Sequence, residues 1–342
     1  MKVLHITEAY GGGVTSAIDT YVSHSTQFNH YLFACVRNKD ETGEEGSGAF
    51  EKTYLVKREL RSLLKLRTII AELEPDVIHL HSSFAGLFVR LMPFVDKKKI
   101  IYTPHAFAFL RNQNPCILKV YYYIEKLLAA RTQVIAGCGR DEMIIAQEFM
   151  AANDTFELVN VCAPIKIARI VNLNNSKPII VMLGRVSQQK GYEYFAQVAC
   201  VLKDRAKFVW IGGGDPDGEK ILHEAGVEVT GWSDRSEVLQ KLMGADLYFH
   251  TAAWDGFPIS VLEAAELDKP IVLREIGPFT SEGLNTVKNV SDAIKEIDFI
   301  LNNDCTALAR SQQNSKKIKT YHSSENLKKS LNNLYKIFIG NT

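Results

Sequence analysis

The stretch Ile179-Ile180-Val181-Met182-Leu183-Gly184-Arg185-Val186-Ser187-Gln188-Gln189-Lys190-Gly191 decides the fold. Its apolar opening reads as a buried strand, and a glycine-bounded loop carrying two cations follows. An open α/β sheet binds its ligands beyond the carboxyl ends of its strands, so Arg185 and Lys190 stand where an anion belongs. A pair of solvated surface cations is the commoner fate of Arg and Lys. Gly184 and Gly191, which let backbone approach a ligand closely, favour the anion site.

The same alternation of apolar runs with helical patterns extends along the whole chain, which predicts βαβ units and parallel sheets. Strands are expected at Lys2 to Thr7, Tyr31 to Val36, Asp76 to His81, Lys99 to Thr103, Gln133 to Ala136 and Phe156 to Val161. A second series follows at Pro178 to Leu183, Lys207 to Ile211, Val227 to Thr230, Leu247 to Thr251 and Pro270 to Leu273. The polar, turn-prone stretch Ala168 to Lys177 separates them as a linker. The expected class is therefore α/β, with two facing Rossmann-like domains at 1–167 and 178–322 and a helical segment at 323–342. In that last segment Leu327, Leu331, Leu334 and Phe338 fall on one side.

A second stretch, Asp255-Gly256-Phe257-Pro258-Ile259-Ser260-Val261-Leu262-Glu263, places two carboxylates around a helix start, with Pro258 at an N1-like position. The amides of Phe257, Ile259 and Ser260 then point to the space ahead of the helix and can meet phosphate or sugar oxygens. Taken singly, Asp255 reads as a helix cap and Glu263 as a solvated helix position. Gly11-Gly12-Gly13 follows the first strand, but Ser16 stands where a third glycine would complete a dinucleotide fingerprint. His105 follows the strand ending in Tyr102-Thr103 and is either a site residue or a packed histidine. His79 and His81 share a strand face, a metal pair in principle; with no adjacent cysteine or carboxylate set they read as core or cleft residues. Asp215-Pro216-Asp217 reads as loop chemistry after Gly212-Gly213-Gly214.

At 342 residues the chain is long enough for two ordinary domains. Apolar residues at 46% and charged residues at 23% make a globular composition, and a net charge of +1 argues against a nucleic-acid binder. The six cysteines show no C-x-x-C pairing, which suits reduced thiols in a cytoplasmic protein rather than a disulfide frame or zinc site. The opening Met-Lys-Val-Leu-His-Ile-Thr-Glu turns polar too soon for a signal peptide.

Together the two stretches resemble the retaining glycosyltransferases of family 4, which have the GT-B fold. One departure stands out: Asp255 occupies the place of a glutamate. The resemblance implies transfer of a sugar from a nucleotide-sugar donor to a glycan or lipid-linked glycan acceptor, in bacterial cell-surface polysaccharide synthesis. It implies that Arg185 and Lys190 neutralise the departing diphosphate and that Glu263 holds ribose hydroxyls. Asp255 would meet a hydroxyl of the transferred sugar, Gly12 and Gly13 would face the donor phosphates, and Gly231-Trp232 would receive the nucleobase. His105 would lie by the donor sugar, near the reaction centre. Gly256 belongs to the same donor-binding string. No metal or cofactor is expected, and the last helix is expected to return to the N-terminal domain. Family members often act on lipid-linked acceptors at the cytoplasmic membrane face. The basic amphipathic stretch Lys57 to Ile70, with Arg58, Arg61, Lys65 and Arg67, therefore reads either as a peripheral contact with an anionic membrane or as a helix with a solvated basic face. Two rival functions stay open: a nucleotide-sugar epimerase of the same fold, and a non-catalytic nucleotide- or glycan-binding partner subunit.

Overall fold

The computed structural model describes residues 1–8, 13–36, 49–57, 59, 61–111, 113–165 and 177–339. Gly12, Arg58 and nearly all of the expected linker lie outside these residues. The chain divides into two compact units, Met1–Ala163 with Ser323–Thr342, and Pro164–His322.

The first unit runs β1 (Lys2–Thr7), α1 (Gly13–Ser23), β2 (Asn29–Val36), β3 (Lys52–Lys57), α2 (Arg61–Leu73), β4 (Val77–His81), α3 (Ser82–Arg90), β5 (Ile100–Thr103), α4 (Pro115–Ala129), β6 (Val134–Gly137), α5 (Arg140–Ala146) and β7 (Thr155–Glu157). Its seven strands form one sheet in the order β3-β2-β1-β4-β5-β6-β7, every pairing parallel. The central strands are buried on both faces, as parallel strands under helices must be. Val77 to His81 is buried at every position although two of its residues are histidines. β3 is absent from the strands expected from sequence. It lies at the sheet edge with most of its residues exposed, so it lacks the apolar run that marks a buried strand. Lys57, expected in the basic helix, closes β3 instead, and the helix starts at Arg61.

The second unit runs β8 (Ile179–Leu183), α6 (Tyr192–Leu202), β9 (Lys207–Ile211), α7 (Pro216–Glu224), β10 (Glu228–Val229), α8 (Arg235–Met243), β11 (Leu247–His250), α9 (Ile259–Glu266), β12 (Ile271–Leu273), α10 (Gly277–Ser281), α11 (Val290–Leu301) and α12 (Cys305–Tyr321). Its parallel strands take the order β10-β9-β8-β11-β12. The chain moves outward from β8 to β10, then returns across β8 to β11, so strand order reverses between β8 and β11. That reversal is the switch point at which open α/β sheets leave a crevice. Phe195 of α6 packs edge-on to Phe208 and Trp210 and stacks on Phe249, which seats α6 on this sheet.

Asp215-Pro216-Asp217 proves to be a helix start rather than a loop: the Asp215 side chain accepts from the Asp217 N–H at 3.3 Å, and Pro216 opens α7. The last helix, α13 (Ser324–Lys336), groups with the first unit and buries Leu327, Leu331, Leu334 and Tyr335 completely. Each such leucine contributes about 1.5–3 kcal/mol of burial.

Candidate active site

In the second unit, Arg185 and Lys190 follow β8, and Asp255 follows the neighbouring strand β11. The switch point thus brings together residues 65 apart in sequence: Lys190 Nζ lies 2.5 Å from Asp255 Oδ2. Their loops are tied by backbone as well. The Ala253 N–H donates to Gln189 O at 2.8 Å, and the Thr251 hydroxyl donates to Lys190 O at 2.8 Å. Gly191 has a left-handed φ of 73°, and a Cβ there would stand 2.1 Å from Thr251 O. The glycine read as leaving room for a ligand is required first by this crossing of two loops. Lys190 and Asp255 are held by the packing of their own backbones.

Arg185 is exposed, and its guanidinium lies 5.9 Å from the ring of Trp232, itself 54% exposed. Gly231 has a φ of 71° and bridges to Gly212, so Arg185 and Trp232 flank a glycine-lined rim after β8, β9 and β10. An exposed indole beside a guanidinium can stack a planar base and leave the cation for a phosphate.

Pro258 is the N-cap of α9, one place earlier than the expected N1. Its carbonyl accepts from the Val261 N–H at 3.1 Å, so the Ile259 and Ser260 amides stand ahead of the first intrahelical donor and face outward from the helix start. Gly256 and Phe257 are buried; the Phe257 ring sits 3.8 Å from that of His322 and edge-on to Phe279. Its side chain is core.

Glu263 is not the solvated position it would be in an ordinary helix. Its side chain is 2% exposed and pairs with Arg235 Nη1 at 2.7 Å. Burial raises its pKa, and the Arg235 charge opposes the shift. A carboxylate this dry, held by one partly exposed arginine, suits exchange of that partner for ligand hydroxyls.

His250, at the end of β11, carries no motif and was missed from sequence. It is fully buried, with Nδ1 3.0 Å from the Tyr248 hydroxyl and Nε2 4.0 Å from Asp255 Oδ2. Burial first, then the charges of Lys190 and Arg274, hold its pKa well below the usual range. It stands as a neutral wall behind the ion pair.

In the first unit, Gly13 opens α1, is exposed, and a Cβ there would meet nothing within 4 Å. His105 follows β5 in a turn where both His105 and Ala106 adopt left-handed φ, 49° and 79°. Glu142 at the start of α5 holds this turn: its carboxylate accepts from the Ala106 N–H and, at 2.9 Å, from the Cys138 N–H. Two consecutive left-handed non-glycine residues store strain that the buried carboxylate sustains. Sequence reading missed Glu142; an acidic residue in the first turn of a helix beside a strand-end histidine is the signal available for it. His105 keeps some contact with solvent, yet dense packing round its ring lowers its pKa to about 4. Its Nε2 lies 3.1 Å from His81 Nδ1. Ligand atoms of His5, His79 and His81 lie within 4.8 Å of one another, the one such metal-competent group among the described residues.

Two parallel-sheet α/β units, each with polar groups at its strand ends, define a two-domain α/β protein, and comparison with known proteins gives the family. Residues 11–149 match the family described as Glycosyltransferase Family 4, and residues 177–304 match Glycosyl transferases group 1. The chain belongs to these glycosyltransferases. It is 28% identical over 324 residues to an uncharacterized 41.2 kDa protein in the cps region of Klebsiella pneumoniae, covering 88% of this chain and 89% of that one. It is 24% identical to the UDP-Gal:alpha-D-GlcNAc-diphosphoundecaprenol alpha-1,3-galactosyltransferase of Escherichia coli, over 72% of this chain and 69% of the relative. Among solved structures, Alr3699/HepE of Anabaena in complex with UDP and glucose superposes with a TM-score of 0.77 at 16% identity, covering 98% of this chain and 99% of that one. The fold is that of the GT-B glycosyltransferases. Among the described residues no helix is long and apolar enough to cross a membrane.

Proposed function

We propose that this protein moves a sugar from a nucleotide-sugar donor to a lipid-linked glycan, with retention of anomeric configuration, in the synthesis of a bacterial cell-surface polysaccharide. The observation that carries this reading is the Lys190–Asp255 pair at the β8/β11 switch point, beside the outward amides of Ile259 and Ser260. An arriving diphosphate competes with Asp255 for the Lys190 ammonium. Once released, Asp255 is left to accept from a hydroxyl of the sugar, while Arg185 and the two amides share the phosphate charge. Trp232 and the Gly231 backbone receive the base, and Glu263 exchanges Arg235 for ribose hydroxyls. In this reading the cations do the work a metal does in other transferases.

Retention follows by front-face transfer. The acceptor oxygen bonds to the anomeric carbon as the bond from that carbon to the phosphate oxygen breaks. The acceptor proton goes to the leaving diphosphate, whose charge Arg185 and Lys190 stabilise. Asp255, turned in this reading to a hydroxyl of the sugar, is not the nucleophile of a double displacement.

UDP-hexoses, with a diphospholipid-linked sugar as acceptor, are the first panel to test, since the E. coli relative is named for UDP-Gal and such an acceptor. A true donor at 100 times its Kd raises stability by about 2.7 kcal/mol, read as a thermal shift. The anomeric coupling of the product should match that of the donor; an inverted product sinks the mechanism. Conversion of the nucleotide sugar without acceptor would point to the epimerase instead.

We infer that the first unit also meets an anionic membrane. In α2, Arg61, Leu64, Lys65 and Arg67 are exposed while Leu66 and Ile69 face the interior. On α4, Ile117, Val120, Tyr123 and Leu127 are exposed at one-face spacing, interleaved with Lys119 and Lys126. Replacing Arg61, Lys65 and Arg67 with Gln should weaken sedimentation with phosphatidylglycerol vesicles, and high salt should do the same. Unchanged binding removes α2 from this role.

A further inference from the structure

Four imidazoles in the first unit are joined nitrogen to nitrogen. His30 Nδ1 lies 3.0 Å from His5 Nε2, His5 Nδ1 lies 3.0 Å from His81 Nε2, and His81 Nδ1 lies 3.1 Å from His105 Nε2. The register of the sheet creates this line. β1 lies between β2 and β4, so its His5 reaches His30 on one side and His81 on the other.

The far end of the line has a fixed polarity. His30 Nε2 sits 3.0 Å from the carbonyl oxygen of Ser25, which can only accept. It also sits 3.1 Å from Ser25 Oγ, whose own proton is donated to Tyr21 O at 2.6 Å. Both neighbours of His30 Nε2 are therefore acceptors, and that nitrogen must carry the proton. A neutral imidazole has one donor and one acceptor, so His30 Nδ1 is bare and must receive the N–H of His5 Nε2. The same step repeats: His5 Nδ1 receives from His81 Nε2, and His81 Nδ1 receives from His105 Nε2. Burial keeps all four rings neutral.

We propose that the Ser25 carbonyl, acting through His30, His5 and His81, fixes His105 as the Nε2–H tautomer, so that its bare Nδ1 is an acceptor reserved for a substrate hydroxyl. His30, His5 and His81 are positioning residues. The tautomer assignment stands on the hydrogen bonds between rings kept neutral by burial; the hydroxyl rests on the glycosyl-transfer reading. A substrate offering only an acceptor at that point, such as a carboxylate, meets a lone pair and is refused.

The same cluster invites a metal reading through His5, His79 and His81, and the geometry disfavours it. His79 Nε2 lies 2.8 Å from Thr103 Oγ1 and its Nδ1 lies 3.2 Å from the Tyr335 hydroxyl, while both nitrogens of His5 and of His81 are spent in the line.

The test uses the full chain labelled with ¹⁵N-histidine, without ligand, near neutral pH. Two-bond ¹⁵N–¹H spectra should show His30, His5, His81 and His105 each as a single Nε2–H tautomer. In His5→Phe the polarity signal is cut and His105 should become a tautomer mixture. His5→Gln, whose amide can both donate to His30 and accept from His81, should restore the single form. A His105 protonated on Nδ1 in the natural protein overturns the proposal, and that arm stands even if His5→Phe does not fold. An unchanged His105 in a folded His5→Phe overturns it too, as do His5, His79 and His81 resonances that shift together on adding one equivalent of Zn²⁺. Because no turnover is measured, a protein that transfers no sugar would still give this answer.

Discussion

The two units share a plan, a parallel sheet with its polar groups at the carboxyl strand ends, yet they use opposite electrostatics there. The second unit gathers full charges: Lys190 against Asp255 and Arg235 against Glu263, on a rim with Arg185 and Trp232. The first gathers neutral dipoles, a line of imidazoles running through the sheet interior to His105. Charges at a rim can be traded for a ligand's charges, as befits a diphosphate that enters and leaves charged. Buried dipoles cannot be traded without unpairing a neighbour, so they hold geometry and polarity instead. One unit is arranged to exchange partners and the other to keep them.

That contrast can be broken most directly at the charged rim. Replacing both Arg185 and Lys190 with Ala should lower turnover by at least roughly 10²–10³-fold, the scale for losing one donor to developing charge. Both side chains border solvent, so the urea midpoint should stay close to that of the natural protein. A folded double variant with near-normal steady-state turnover would remove the rim from catalysis. Loss of folding instead would mean that these charges, like the imidazoles, are structural.

The neutral interior answers to acid. His5, His30, His79, His81, His105 and, in the second unit, His250 all have pKa values below the usual 6.5 through burial. Unfolding lets each take a proton that the folded chain refuses. Their contribution is complete above about pH 6.5 and is lost as pH falls below it, by up to about 1.4 kcal/mol per pH unit for each ring. Urea midpoints at pH 7.5 and 5.5 should differ clearly, and hydrogen exchange should place the early loss in β1, β4 and β5. Equal midpoints would show that the rings are charged or solvated in the folded chain.

The charged rim was largely legible in the sequence because its residues sit in two short strings, each beside a strong strand. Their meeting was not, since Lys190 and Asp255 become neighbours only when β8 and β11 lie side by side. Glu263 was placed on its helix, but its burial against Arg235 depends on how α8 and α9 pack. The imidazole line was scarcely legible at all. His5, His30, His81 and His105 are scattered singly along the chain, and only strand register aligns them. β3 escaped for the opposite reason: an edge strand exposed along most of its length carries little apolar signal.

Tyr335 fills the first unit beside His79 and Phe28, and the leucines of α13 close the same interior. On the ribosome, therefore, the first unit cannot finish when residue 163 emerges. It must wait for a helix encoded some 170 codons later, about 10–30 s at ordinary elongation rates. The second unit is made during that interval and is complete once His322 emerges, ahead of α13, while the first carries an open apolar seam that a chaperone can find. The order of maturation in the cell is then the reverse of the order of synthesis.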